Sequence, residues 1–210
     1  MLSSRPFRSP QAPHCYGATV PEDSRPTREG APDLEGSSET WRDPAVLPDP
    51  DRDGWHLFVT ARSVAAGRND DGVAHATSQD LATWTLGPPL CDAGAGFGQL
   101  EVLQNVVVAG RPVLEFTCDP QEQTAERIAE WGEYSTWSVP SPTVVGPWDM
   151  NKARPFLPEP DLFAAPIVRL RDGGSATIGF RNLESHGGDG FEIIDPIAVT
   201  LDAEGHLVAP

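Results

Sequence analysis

In DGWHLFVTAR, at residues 53–62, a polar turn leads into a strand of alternating apolar and polar residues. The same order returns as GRPVLEFTC at residues 110–118 and as DGGSATIGFRN at residues 172–182. Clusters of Gly, Asp and Pro mark turns, and short alternating runs between them are typical of β-strands. The sequence therefore predicts a β-protein built from a unit that recurs about every 60 residues.

Each unit holds further strands beyond the one that defines it. The first continues with DGVAHATSQDLATWT at residues 71–85, and the second with EYSTWSVPSPTVVGPWD at residues 133–149. Runs of strand length lie at residues 55–61, 72–77, 100–108, 112–118, 134–139, 163–170, 176–181 and 192–199. Only residues 121–131, QEQTAERIAEW, have helical character. About four short antiparallel strands per unit predict β-propeller blades, with a β-sandwich as the alternative.

The chain divides into an N-terminal extension and a β-domain. Residues 1–38 contain six prolines among Ser, Arg and Glu and show no periodicity, which predicts a disordered or poorly packed segment. Residues 39–210 form the second part, in which three blade-like units span roughly 41–92, 93–150 and 151–210. We therefore expect an all-β fold with about three blades.

Composition excludes several classes of function. The formal net charge of -16 lacks the basic footprint that nucleic-acid binding requires. No apolar run is long enough to cross a bilayer, and the N-terminal residues lack the apolar core of a secretory signal. The three cysteines are widely spaced and form no metal-binding pair, so we interpret them as free thiols. We expect a soluble, cytoplasmic protein without a nucleic-acid or membrane partner.

A group of motifs carries a resemblance to a known family. The motifs, in chain order, are WRDP at residues 41–44, DGWHLFVTAR, GVAHATSQDLATWT at 72–85, GFGQLEVLQ at 96–104, GFRNLES at 179–185 and FEIIDPIAV at 191–199. Together they resemble the later blades of the five-bladed propeller glycosidases, and specifically glycoside hydrolase family 32, the β-fructosidases. Arabinosidases and xylosidases of family 43 share the propeller, but the Arg-Asp-Pro triplet favours fructosides.

The resemblance implies roles for four residues. In the family, three acids converge on a central pit and hydrolyse a glycosidic bond with retention of configuration. Asp43 matches the acid that binds sugar hydroxyls and stabilises the transition state, and Glu101 matches the general acid/base. Arg42 and Trp41 are expected to bind substrate. The family usually has a proline two residues after this glutamate, where this chain has Leu103.

Two structural interpretations of the acids stay open. An aspartate before a proline often starts a turn by capping its own backbone, which would account for Asp43. Glu101 lies in an alternating run and would then be an ordinary strand residue on the solvent face. The five histidines are dispersed and are expected to be packed or hydrogen-bonded rather than to bind a metal.

The sequence has no counterpart of the family's nucleophile before Trp41. We therefore expect an N-terminally truncated relative that is catalytically incomplete, binds sucrose, a fructan or a related glycoside, and needs neither metal nor organic cofactor. The alternative is a non-catalytic carbohydrate-binding propeller or an inactive fragment. Because an open stack of blades would expose strand edges, we also expect self-association.

Overall fold

The structure, a computed structural model, describes residues 41–63, 70–91, 95–159, 161–182 and 191–209. The predicted extension at residues 1–38 lies outside these ranges. The first described unit is a four-stranded antiparallel sheet whose strands pair in chain order. Its strands are β1 (Trp41–Pro48), β2 (Trp55–Ser63), β3 (Asp70–Ser78) and β4 (Thr85–Leu86). This unit is the first blade.

The second blade repeats the same order of pairing. Its strands are β5 (Glu101–Val108), β6 (Arg111–Thr117), β7 (Thr136–Pro140) and β8 (Arg154–Pro155). Helix α1 (Ala125–Trp131) lies between β6 and β7. It begins where the Thr124 side chain accepts a hydrogen bond from the Arg127 N–H, and it ends at Gly132, whose φ of 89° suits a residue without a side chain.

The third blade has the same plan, but its three long strands are each interrupted by a few residues without strand structure. The strands are β9 (Leu162–Phe163), β10 (Ile167–Arg169), β11 (Ser175–Thr177), β12 (Phe180–Asn182), β13 (Phe191–Ile193), β14 (Ile197–Leu201) and β15 (Leu207–Val208). Strands β10, β11, β14 and β15 form one sheet, and β13, β12 and β9 form another. Each predicted long strand of this blade is thus present as two short ones, interrupted at residues 164–166, 178–179 and 194–196.

Most of the strands predicted from the sequence are present. The predicted runs at residues 55–61, 72–77, 100–108, 112–118 and 134–139 match β2, β3, β5, β6 and β7. The helical stretch is also confirmed as α1, preceded by a 3₁₀ turn at Pro120–Glu122. Strand β1 was not among the predicted runs because its two prolines are poor strand residues. A first strand needs a partner on one side only, which lets it hold both.

The core lies in two layers between blades. The first layer joins blades one and two through Phe58, Val73, Cys91, Phe97, Leu100, Leu103, Leu114, Phe116, Cys118, Trp137, Val139, Trp148, Met150 and Ala153. The second joins blades two and three through Val108, Val113, Phe156, Leu157, Leu162, Ala165, Ile167, Ile194, Val199 and Leu207. The second blade thus buries both faces against its neighbours, which is the physical basis of a propeller. A third, smaller cluster of Val59, Ala61 and Ala74 lies on the first blade outside these two layers.

Hydrogen bonds also cross from blade to blade. The Thr60 hydroxyl on β2 donates to the Leu100 carbonyl oxygen at 2.6 Å. The Gln104 side chain on β5 binds the backbone of Ile167 on β10 twice, accepting from its N–H at 2.6 Å and donating to its carbonyl at 2.9 Å. These contacts set the position of each blade's first strand relative to the blade before it. Among the described residues, no helix is long and apolar enough to cross a membrane.

Candidate active site

A backbone irregularity recurs at one place in each blade's first strand. The register of β1 against β2 shifts between Arg42 and Ala45, and Asp43 has a φ of 51°. The register of β5 against β6 shifts between Glu101 and Gln104, and Val102 has a φ of 52°. Ala164, between β9 and β10, has a φ of 46°. A bulge of this kind bends the strand and re-aims the side chains beside it.

The bulges of the first two blades bring the two predicted acids to one place. Of the strands of these two blades, β1 and β5 make the most extensive contact across the boundary between them. The Asp43 carboxylate accepts a hydrogen bond at 3.3 Å from the backbone N–H of Val102, the residue that follows Glu101. Asp43 therefore contacts the neighbouring blade instead of starting an isolated turn, and Glu101 is only partly exposed, at 21% of its side chain.

Arg42 lies between the two carboxylates. Its Nε atom is 3.7 Å from Asp43 Oδ2 and 3.6 Å from Glu101 Oε1, and its Nη2 donates to Gln99 Oε1 at 3.2 Å. One guanidinium thus lies at ion-pair distance from a carboxylate of each blade and donates a hydrogen bond to Gln99. The sequence predicted this residue as a substrate ligand, and the structure places it at the contact between both predicted acids.

The electrostatic surroundings raise the pKa of Glu101. Burial is the largest cause, because it disfavours the charged carboxylate. Arg42 opposes the shift, while Asp43, Asp119 and Glu122 add to it by repulsion between like charges. A carboxyl group with a raised pKa keeps its proton at a higher pH than an exposed glutamate does, which is what a general acid requires.

Three residues of this site were not singled out from the sequence. Gln99 accepts from Arg42, and Asp119 and Glu122 raise the pKa of Glu101. Asp119 follows β6, whose last residue Thr117 is paired with Glu101. That register is the signal that links the segment after β6 to the site, and it becomes visible only once the strands are paired. Trp41 begins β1, paired with Ala61, but its side chain lies outside the described part of the structure.

Two histidines that were expected to be packed or hydrogen-bonded, His56 and His75, form a row of polar contacts with Asp49. His56 Nδ1 lies 2.8 Å from His75 Nε2, and His56 Nε2 lies 3.3 Å from Asp49 Oδ2. Asp49 also accepts from the Arg52 side chain at 2.7 Å, and this hydrogen bond is the main cause that lowers the pKa of Asp49 to about 2. Burial lowers the pKa of His75. Both ring nitrogens of His56 and both carboxylate oxygens of Asp49 have partners within the first blade, so these contacts stabilise that blade.

One group of residues has the composition of a metal site. Asp202, Glu204 and His206 lie close together at the turn between β14 and β15. Arg154 is 2.7 Å from Glu204 and 3.9 Å from Asp202, and Asp202 Oδ1 accepts from three successive backbone N–H groups of the turn. These contacts already compensate the acids, so the group reads as a capped turn. Cys91 and Cys118 are buried free thiols, as expected from their spacing.

Comparisons with known proteins identify the fold. No protein-family model matches the chain, and no curated protein matches it either. Among solved structures, a GH32 beta-fructofuranosidase of Bombyx mori in complex with sucrose is 17% identical with a TM-score of 0.58, covering 78% of this chain. An inulosucrase of Halalkalicoccus jeotgali bound to kestose is 16% identical with a TM-score of 0.63, covering 81% of this chain. A thermostable family-43 glycoside hydrolase is 13% identical with a TM-score of 0.58, also covering 81%.

The chain spans only part of these neighbours, namely 36%, 50% and 57% of their respective lengths. The likeness extends over the antiparallel blades described above. It confirms the all-β propeller expected from the repeating unit, in place of a β-sandwich. The fold of this chain is that of the β-propeller glycoside hydrolases.

Proposed function

We propose that this chain forms the part of a β-fructosidase-type site that binds a glycoside and protonates its leaving oxygen. The observation that carries the proposal is the meeting of Asp43 and Glu101 from the first strands of two neighbouring blades around Arg42. The likeness to enzymes whose structures hold sucrose and kestose supports a carbohydrate ligand. At 16–17% identity it leaves the individual sugar to experiment.

Each residue has a defined part in the proposal. Protonated Glu101 donates its proton to the glycosidic oxygen, and the raised pKa keeps that proton available. Asp43 accepts hydrogen bonds from sugar hydroxyls and opposes the positive charge that develops at the anomeric carbon. Arg42 holds both carboxylates in place. Hydrolysis with retention also requires a nucleophilic carboxylate, and we assign that role to no residue of this chain.

Among the residues that the structure describes we identify no nucleophile, which favours a second candidate, a carbohydrate-binding propeller without turnover. Binding needs Asp43, Arg42 and the shape of the pit, whereas turnover also needs an acid that attacks the anomeric carbon. A family-43 type of substrate, an arabinoside or xyloside, is the third candidate, and the family-43 neighbour supports it.

The test measures binding and turnover side by side. The chain, Asp43→Asn and Glu101→Gln are titrated with sucrose, kestose and a xylo-oligosaccharide by calorimetry, and the release of monosaccharide is assayed in the same buffer. We expect fructosides to bind and Asp43→Asn to weaken that binding at least about tenfold, a loss of about 1.4 kcal/mol. Glu101→Gln keeps binding, since it removes only the transferable proton.

Each result points to one candidate. Turnover that both variants abolish supports a complete hydrolase, and binding without turnover supports the binding module. Preference for the xylo-oligosaccharide supports the family-43 type. Absence of binding to every sugar by a folded sample would overturn the proposal.

A further inference from the structure

A row of polar side chains lies on one face of the second blade. Glu115 and Thr117 are two residues apart on β6, so their side chains lie on the same face. On β7, Ser138 is paired with Glu115, and Thr136 is paired with Thr117. Directly paired residues of antiparallel strands share a face, so these four side chains form one patch of oxygen atoms.

The patch faces the third blade. Val113 precedes Glu115 by two residues on the same face, and it belongs to the apolar layer that joins the two blades. The Ser138 hydroxyl accepts a hydrogen bond at 3.0 Å from the N–H of Leu207 on β15. Gln104 on β5 is paired with Glu115 on β6, and its side chain binds Ile167 of the third blade. The patch is therefore enclosed between two blades.

The patch is fully buried, but several of its oxygen atoms have no hydrogen-bond partner among the described residues. Glu115, Thr117 and Thr136 each have 0% exposure. Both carboxyl oxygens of Glu115 and the hydroxyl oxygens of Thr117 and Thr136 lack a hydrogen-bond partner among the described residues. An unsatisfied buried polar group costs about 1–3 kcal/mol, and a carboxylate costs more. Four such atoms side by side require something from solvent.

The chemistry of the patch selects a class of ligand. Every side-chain atom of the patch that could bind a metal ion is an oxygen. Oxygen ligands suit hard cations and not the softer metals that prefer sulfur or imidazole. The patch carries one carboxyl group. Burial is the only cause that raises the pKa of Glu115, so no charged group of the protein compensates it. A single positive charge balances one carboxylate, whereas a divalent ion would leave a buried excess of charge.

We propose that Glu115, Thr117 and Thr136 form a buried site for a monovalent cation, Na⁺ or K⁺, between the second and third blades. The cation satisfies the oxygen atoms that the protein leaves unpaired, and it joins the side chains of β6 to that of β7. The proposed cation stabilises the fold, whereas Asp43 and Glu101 are proposed to bind and protonate a glycoside. The alternative is a protonated Glu115 held by water alone.

The experiment compares thermal unfolding of the whole chain in NaCl, KCl, CaCl₂ and choline chloride at equal ionic strength. At equal ionic strength the four salts screen the protein's negative charge equally. Nonspecific screening therefore does not contribute to a difference between the salts. We expect the unfolding temperature to rise with NaCl or KCl concentration in a saturable way, relative to choline chloride, as a bound ligand requires.

Variants assign that effect to the site. Glu115→Gln should abolish the difference between the alkali salts and choline chloride, and Thr117→Val should reduce it. The matched control is Glu133→Gln, which removes an exposed glutamate and should keep the difference in full. Should Glu115→Gln not fold, anomalous scattering from a crystal of the unaltered chain grown in RbCl locates the ion directly.

The proposal is overturned by equal unfolding temperatures in NaCl, KCl and choline chloride, which identify a protonated carboxyl with water. It is equally overturned by stabilisation in CaCl₂ alone, by an ion-specific effect that persists in Glu115→Gln, or by an anomalous map without a peak between β6, β7 and the third blade.

Discussion

Arg42 shows how one residue connects two blades at the candidate site. Its guanidinium belongs to β1 of the first blade, yet it lies 3.6 Å from the Glu101 carboxylate at the start of the second. A positive charge at that distance favours the ionised carboxylate and lowers its pKa. Burial raises the pKa of Glu101 and outweighs Arg42, so the net shift is upward. The proton affinity of Glu101 is thus a balance that a single substitution can move.

Replacing Arg42 should move that balance in one direction. In Arg42→Met we expect the pKa of Glu101 to rise further, because the one opposing charge is gone while burial and the neighbouring acids remain. NMR titration that follows the side-chain carboxyl carbon of Glu101 measures this pKa. Arg52→Met, which removes an exposed arginine from the turn before β2, serves as the control. A pKa that stays or falls in Arg42→Met contradicts this account.

Val102 is a strained residue beside the site. Its φ of 52° is unfavourable for a β-branched side chain, and positive values suit Asn or Gly far better. Val102→Asn should therefore raise the free energy of unfolding by about 1 kcal/mol. Chemical denaturation measures the change. Val107→Asn alters an exposed valine of the same strand that lacks a positive φ, so it should give no gain. Equal effects of both substitutions would refute strain at Val102.

At the scale of the elements, the first strand of each blade is the connection to the next. Gln104 illustrates this, because its amide makes two hydrogen bonds to the backbone of Ile167 on β10. A side-chain amide that binds both backbone groups of one residue acts as a short extra strand. These bonds attach β5 to the first residue of β10.

Gln104→Ala should therefore loosen the second blade from the third. The substitution leaves the N–H and carbonyl of Ile167 without their partner, which costs about 1–3 kcal/mol of unfolding free energy. Hydrogen exchange should report faster exchange of the Ile167 amide, while β2 and β3 keep their protection. Gln121→Ala, at an exposed glutamine, is the comparison. Unchanged exchange at Ile167 would rule out this contact as a clamp.

At the scale of the whole molecule, burial of Glu115 makes stability depend on pH. The pKa of Glu115 in the folded chain lies well above its ordinary value of 4.5, because burial disfavours the carboxylate. The unfolded chain therefore loses this proton first as the pH rises. By linkage, the contribution of Glu115 to stability is complete below pH 4.5 and is lost as the pH rises towards the folded pKa.

The difference between the chain and Glu115→Gln isolates that contribution. In choline chloride, we expect the variant to gain stability relative to the unaltered chain as the pH increases from about 4 to 8. Asp49, whose pKa is lowered to about 2, acts in the opposite sense and loses its contribution at acid pH, but it is common to both proteins. Denaturation at several pH values measures the difference. Parallel stability curves for the two proteins would show that Glu115 does not titrate this way.

The third blade exposes an apolar edge. Phe191 and Ile193 on β13 are 63% and 78% exposed, and β13 is the end strand of its described sheet. Exposed strand edges with apolar side chains promote association. Phe191→Ser with Ile193→Thr should lower the apparent mass in light scattering at high concentration, whereas Leu81→Ser, at an exposed turn residue, should not. A monomeric unaltered chain at every concentration would contradict the expected self-association.

Alternation and turn residues along the chain predicted strands β2, β3, β5, β6 and β7 of the first two blades and the three-unit plan, and the motifs singled out Asp43 and Glu101 as candidate acids. Alternation of apolar and polar residues is a local property, because neighbouring side chains on a strand face opposite sides. Turn residues are equally local. Both can be found along the chain without knowing which strand pairs with which.

How these parts meet depends on the folded arrangement of the blades. The contact of Arg42 with Glu101, the interrupted strands of the third blade and the patch formed by Glu115 and Thr136 depend on strand register and blade packing. A single bulge shifts the register and re-aims the side chains beside it, and its presence becomes visible only once the strands are paired. Residues that are distant along the chain become one site for that physical reason.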